Sequence, residues 1–147
     1  MILDKLTTLA TAQALTATAY STDNIDLGDV TPKRDIGNGE PLALLVTVTV
    51  AADFTSANET YEFQFVQSAN SDMSSHDVLA ARVVPAAQLA VGDRVVIPVP
   101  KGAVTKRYVS GRAVLGGTTP SVTVNFDLLP LSSVEQYAAY ADGFTIS

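Results

Sequence analysis

The stretch Asp72-Met73-Ser74-Ser75-His76-Asp77 brings together the residue types best suited to chemistry in this sequence. His76 is the single histidine, and Asp72 and Asp77 place two carboxylates beside its imidazole. Imidazole and carboxylate groups are common metal ligands. With one of the many serines, they would also supply the residues of a Ser–His–Asp triad. A zinc site with one histidine and no cysteine would need carboxylates for its other ligands, however, and serine and aspartate are ordinary turn residues. We therefore expect a solvated loop here and no metal site.

Other catalytic signatures are missing from the sequence. Gly37-Asn38-Gly39 lacks the lysine and the helix that follow the glycines of a phosphate-binding loop. No Gly-x-Ser-x-Gly elbow accompanies the serines. The acid pairs Asp23/Asp26 and Asp26/Asp29 fall in a loop-like region, where carboxylates are better explained as turn caps than as a glycosidase pair. We predict neither an enzyme nor a bound cofactor.

Composition narrows the classes of partner. The chain has 147 residues, a formal net charge of −6 and a pI near 4.5. Phosphate binding needs a clustered basic face, so nucleic acid is not an expected partner. The densest basic group, Lys101, Lys106 and Arg107, is interpreted as a solvated strand end. No apolar run reaches the roughly 18 residues of a membrane span, so a membrane is not expected either. With charged residues at 16%, the surface is rather neutral and suits contact with other proteins.

Short strands separated by glycine and proline turns account for most of the sequence after residue 41. Aromatic and polar residues alternate in Thr60–Ser68, as in a half-buried strand. Pro98 cannot donate to a ladder, so its strand is expected at a sheet edge. The Gly116-Gly117 turn between two strands predicts a β-hairpin. The predicted strands are Leu42–Val50, Thr60–Ser68, Val78–Val84, Arg94–Val99, Lys106–Leu115 and Ser121–Leu129.

This pattern predicts an all-β fold, a jelly-roll-like antiparallel β-sandwich that forms a single domain over residues 1–147. Residues 28–41 are expected to form a long surface loop, and residues 85–90 one helical turn. Residues 1–20 are expected to form an extended N-terminal arm, and residues 132–147 a C-terminal tail that begins as a helix.

Apolar and aromatic side chains at the two ends are candidates for protein contacts. One interpretation is that the tail packs against its own sandwich. The other is that one or both ends bind a neighbouring subunit, where aromatic anchors contribute most of the binding energy. The candidate residues are Ile2, Leu3 and Leu6 near the start and Tyr137, Tyr140 and Phe144 near the end.

Three blocks of sequence carry a family resemblance. They are MILDKLTTLATAQALTATAYSTDNIDLG, RDIGNGEPLALLVTVT and KRYVSGRAVLGGTTPSVTVNFDLLP. Together they resemble the capsid cement (decoration) proteins of tailed bacteriophages, in particular the Bordetella-phage cement type. The most specific parts are the MILDK start, the loop from Arg34-Asp35 to Pro41, and Arg107-Tyr108 ahead of the Gly-Gly turn.

The resemblance implies a virion protein, assembled in the host cytoplasm, that lies on the exterior of the capsid. It would bridge capsomers of the major capsid protein. It would also self-associate as a homo-oligomer, and the expected oligomer is a dimer. The alternatives are a carbohydrate- or receptor-binding β-sandwich module and a head–tail joining protein. The residues that would contact the shell or a twin subunit are Ile2, Leu3, Leu6, Arg34, Asp35, Tyr137, Tyr140 and Phe144.

Overall fold

A computed structural model describes residues 5–29 and 39–134 of the chain. Within them nine strands form two antiparallel sheets, with short 3₁₀ turns at Lys5–Thr7 and Ala86–Gln88. The strands are β1 (Thr8–Leu15), β2 (Ala19–Tyr20), β3 (Ile25–Asp26), β4 (Leu42–Val50), β5 (Thr60–Ser68), β6 (Asp77–Val84), β7 (Arg94–Pro98), β8 (Tyr108–Gly116) and β9 (Val122–Pro130).

The strand order is that of a jelly roll. One sheet has the order β1-β9-β4-β7, and the other has β2-β8-β5-β6 with β3 also paired to β8. The predicted all-β sandwich is therefore confirmed, and β7 with its Pro98 lies at a sheet edge as expected. The 3₁₀ turn after β6 also falls inside the predicted residues 85–90. No helix in the described part of the chain is long and apolar enough to cross a membrane.

The core lies between the sheets and follows from the alternation of the central strands. In β5, Tyr61, Phe63 and Phe65 are fully buried in the core. In β4, Leu44 and Val46 enter the same core. A β-strand directs successive side chains to opposite faces, so alternate apolar residues suffice to build such a layer.

The predicted hairpin between β8 and β9 is wrong, because these strands belong to opposite sheets. The segment 117–121 instead connects the five-stranded sheet to the four-stranded sheet. Gly111 of β8 faces Phe126 of β9 so closely that a Cβ on the glycine would lie 2.8 Å from the phenyl ring. Gly117 has φ +100°, and a Cβ there would lie 2.6 Å from the carbonyl oxygen of Asn58. These glycines allow the backbone of the crossover to pack closely against its neighbours. Glycines in a hairpin turn give the same sequence pattern, so the pattern does not distinguish the two structures.

The expectation of an N-terminal arm over residues 1–20 is wrong for residues 8–15, which form β1 against β9, and for residues 19–20, which form β2 against β8. Leu9 and Leu15 are buried in the core. Two register shifts interrupt the strand, and Ala12, within the second shift, has φ 47°. The Ala/Thr-rich sequence and this irregularity erase the alternation by which a strand is recognised.

A helical turn at residues 131–134 begins the expected C-terminal tail. Val134 packs with Leu45 and Leu129 on the outer face of the four-stranded sheet. The rest of the tail, from residue 135, lies outside the described residues, as do residues 30–38 of the expected loop.

Candidate functional site

Polar and aromatic side chains are linked across the outer face of the five-stranded sheet. Arg112 Nη1 donates a hydrogen bond to Gln64 Oε1 at 2.9 Å, and Gln64 Nε2 donates to Glu62 Oε1 at 2.8 Å. The guanidinium carbon of Arg112 lies 5.7 Å from the centre of the Tyr20 ring. The Tyr20 hydroxyl and His76 Nδ1 are 2.6 Å apart. We call these five residues the Arg112 network.

The network forms because pairing of β2, β8 and β5 aligns residues that are distant in sequence. Tyr20 lies opposite Arg112, and Arg112 lies opposite Gln64. Opposed residues in a sheet point to the same face, here the face away from the core. Alternation within β8 predicts that Arg112 points away from the core. The contact of Tyr20 with Arg112 depends on the pairing of β2 with β8, which the sequence does not show.

His76 is half-buried against Tyr20, where the sequence predicted a solvated loop. Burial lowers its pKa, the positive charge of Arg112 lowers it further, and the charge of Asp77 opposes both. The imidazole is therefore neutral at pH 7. A neutral His76 ring can form one hydrogen bond with the Tyr20 hydroxyl while it lies near the positive charge of Arg112.

The carboxylates beside His76 have other partners. Asp72 Oδ1 accepts a hydrogen bond from the Ser74 N–H at 2.9 Å, and Asp77 Oδ2 lies 2.7 Å from Lys106 Nζ. Hydrogen bonds with the Ser74 side chain and with its N–H lower the pKa of Asp72, and the hydrogen bond with Lys106 lowers the pKa of Asp77. Within the described residues no group of three or more His, Cys, Asp or Glu side chains is arranged to hold a metal ion.

Two of the clustered basic residues form ion pairs. Besides the Lys106–Asp77 pair, Arg107 binds Asp26 through two hydrogen bonds, Nε to Oδ1 at 2.7 Å and Nη2 to Oδ2 at 2.9 Å. The hydrogen bonds with Asp26 are the main reason that the pKa of Arg107 is raised. Both pairs are partly exposed. They join the start of β8 to β3 and to β6, and so they are bonds between strands within the five-stranded sheet.

Among the strands that the structure describes, β6 is the sheet edge with the least protection. Of the other edge strands, β1 has two register shifts, β2 and β3 have two residues each, and β7 has five residues with a proline. β6 has eight residues, contains no proline and has a single irregularity at Leu79. Val78 and Val83 are 46% and 70% exposed. An edge of this kind is a template for pairing with another strand.

A groove of about 310 Å³ lies beside this edge, where the two sheets part between β6 and β7. Arg82, Asp93 and Arg94 are among its lining residues. Arg82 Nη1 lies 3.5 Å from the carbonyl oxygen of Val96 in β7, so its side chain spans the opening. The groove and the β6 edge together form a continuous accessible side of the sandwich.

Of the eight residues predicted to contact a capsid shell or a twin subunit, Leu6 alone lies in the described part of the chain. Leu6 lies in the 3₁₀ turn before β1 and is 83% exposed. The other seven residues lie outside the described residues: Ile2, Leu3, Arg34, Asp35, Tyr137, Tyr140 and Phe144. Their roles stay predictions.

A family model named Bbp16 matches residues 9–128. The chain belongs to the Bbp16 family. Bbp16 is a family of Bordetella phage proteins, which fits a bacteriophage structural protein. The match runs from β1 into β9 and includes the Arg112 network and the β6 edge. No curated protein matches this Bbp16-family chain.

Proposed function

We propose that this Bbp16-family chain is a capsid cement protein, which binds the exterior of a phage head and bridges capsomers of the major capsid protein. The observation that carries the proposal is the family match over residues 9–128. A jelly roll with one accessible sheet face and one accessible edge supports it, because such a domain can contact two neighbours at once. A protomer held by two capsomers gains affinity through effective concentration, so each contact can be weak.

The surface for self-association in this proposal is the β6 edge. Antiparallel pairing of two copies about a two-fold axis at Ala81 places Ala80 opposite Arg82 and Val78 opposite Val83, when Leu79 is left unpaired as it is against β5. In each of these pairs the two side chains then point to the same face of the joined sheet, as β-pairing requires. Each exposed valine covers the other, and the outer faces of the two copies join into one surface.

Heads that lack this protein provide the test. They are heated with and without the purified chain, and opening is followed by a dye that fluoresces on released DNA. We expect the added protein to bind along the shell and to raise the opening temperature. If it neither binds heads nor shifts their opening, the proposal fails.

The position of bound protein separates the alternatives. Copies distributed over the capsomers are expected for a cement protein, whereas a single ring at the portal vertex would identify a head–tail joining protein. Binding to a glycan array without binding to heads would favour a carbohydrate-binding module instead. A density map of decorated heads and one array measurement therefore decide between the three.

A further inference from the structure

The loop between β4 and β5 meets the β8–β9 crossover at one end of the sandwich. The Asp53 N–H donates to the carbonyl oxygen of Ser121 at 2.8 Å. Asn58 Oδ1 accepts from the Thr118 N–H at 3.1 Å, and Asn58 Nδ2 donates to Thr118 Oγ1 at 2.9 Å. The two segments are thus held together by neutral hydrogen bonds, and their side chains bring many oxygen atoms to this end.

Glu59 is the unusual member of this group. It is 4% exposed, and its Oε1 accepts from the Ser56 N–H at 3.2 Å. Its other oxygen, Oε2, is shielded from solvent and has no hydrogen-bond partner. A buried acceptor without a partner is uncommon in folded proteins and calls for a bound water or ion.

A second carboxylate lies on the other side of the same hydroxyl. Thr119 Oγ1 is 3.4 Å from Glu59 Oε1 and 3.4 Å from Asp53 Oδ2. One hydroxyl carries one hydrogen, so it can donate to one of these oxygens at a time. Among the described residues neither carboxylate forms a salt bridge. Asp53 Oδ1 also accepts from Thr55 Oγ1, and Glu59 Oε1 accepts from the Ser56 N–H, so Glu59 Oε2 is the oxygen of this pair that is left without a donor.

We propose that Asp53, Glu59 and Thr119 bind a calcium ion that ties the β4–β5 loop to the β8–β9 crossover. Carboxylate and hydroxyl oxygens are ligands for a hard cation, and calcium accepts irregular sets of six to eight oxygens completed by water. The site has two carboxylates, so its dissociation constant is expected to be about 10⁻⁴ to 10⁻³ M, the range of weak calcium modules. The proposal is independent of the capsid function.

Thermal unfolding of the wild-type chain tests the site directly. After treatment with a chelator, 10 mM CaCl₂ should raise Tm by about 3 °C or more, because binding to the folded state alone stabilises it. Glu59→Gln keeps the shape of the side chain and removes the charge, so it should abolish the calcium response. Glu62→Gln, on the outer face of β5, removes the same charge elsewhere and should keep the response.

Terbium luminescence gives a second, local measurement. The chain has five tyrosines and no tryptophan, and the Tyr61 hydroxyl donates to the Asp53 carbonyl oxygen at 2.5 Å, beside the site. Terbium bound there should be excited through Tyr61 and displaced by calcium. Emission should be lost in Glu59→Gln and in Tyr61→Phe and kept in Glu62→Gln. A wild-type chain whose Tm does not respond to calcium, or terbium emission equal in Glu59→Gln and wild type, would overturn the proposal.

Discussion

The outer faces of the two sheets are built differently. On the four-stranded sheet, Leu45 and Leu129 point away from the core and are nevertheless buried, since they pack with Val134 of the turn at residues 131–134. On the five-stranded sheet, the outer face carries the Arg112 network and ends at the exposed β6 edge. The turn at residues 131–134 therefore covers one face, whereas the other, open face carries polar and charged side chains.

Truncating one apolar side chain on each face should give the largest contrast. Leu45→Ala removes a buried side chain and should lower the free energy of unfolding by about 2–4 kcal/mol. Val83→Ala, at the β6 edge, should change it by less than about 0.5 kcal/mol because the side chain is exposed. Urea unfolding of both variants measures this. Similar losses in the two variants would mean that the faces are equally buried.

Charge at the β6 edge should affect association without affecting folding. Val83→Lys introduces a positive charge opposite Val78 of the other copy and should weaken self-association by about tenfold or more, as expected when a charge is desolvated in an interface. Val91→Lys is the matched control, because Val91 is 69% exposed in the loop before β7 and is not one of the β6 residues that pair in this arrangement. Light scattering across a concentration series measures both. Equal masses for all three proteins at every concentration would exclude the edge as the contact.

The covered face contains a carboxyl group whose burial is unfavourable at neutral pH. Asp127 is 4% exposed, and burial raises its pKa although Thr8 Oγ1 donates to it at 2.8 Å. A raised carboxyl pKa means that the folded state binds more protons, so this contribution to stability is present below about pH 3.8 and is lost as pH rises through the folded pKa.

Asp127→Asn keeps an acceptor for Thr8 and removes the charge. It should raise Tm at pH 7 by about 1–3 °C and have less effect near pH 3, where the wild-type carboxyl is protonated. Thermal unfolding at both pH values is the measurement. An Asn variant less stable than wild type at pH 7 would show that the ionised carboxylate is stabilising on this face.

The smallest expected effect concerns His76 on the open face. Its pKa is lowered from 6.5, so its contribution to stability is present above about pH 6.5 and is lost as pH falls through the folded pKa. Arg112→Gln should move that pKa upward, because it removes the nearby positive charge. Arg82→Gln, on β6, should leave it unchanged. An NMR titration of the imidazole follows the shift, and equal values in all three proteins would contradict the role given to Arg112.

The sequence predicted β4 to β9 within two residues at each end, because these segments are rich in valine or in other β-branched and aromatic residues and are bounded by turn residues. It did not predict β1, whose Ala12 interrupts the alternation, nor the separation of β8 and β9, since local pattern carries no information about which sheet a strand joins. The candidate site depended on pairing. Tyr20 and His76 meet through the order of β2, β8, β5 and β6. The local pattern that singles out His76 does not identify Tyr20 as its partner.

The pairing of β1 with β9 has a mechanical consequence. Thr8 lies opposite Asp127, so the chain enters β1 and leaves β9 at the same end of the sheet. A force that pulls these two points apart loads the β1–β9 hydrogen bonds one after another, and the strands peel. A force that pulls both in the same direction, away from a neighbour that holds the sandwich, loads the long β9–β4 ladder along its length, where many bonds must break together. The domain should therefore resist sliding far better than peeling.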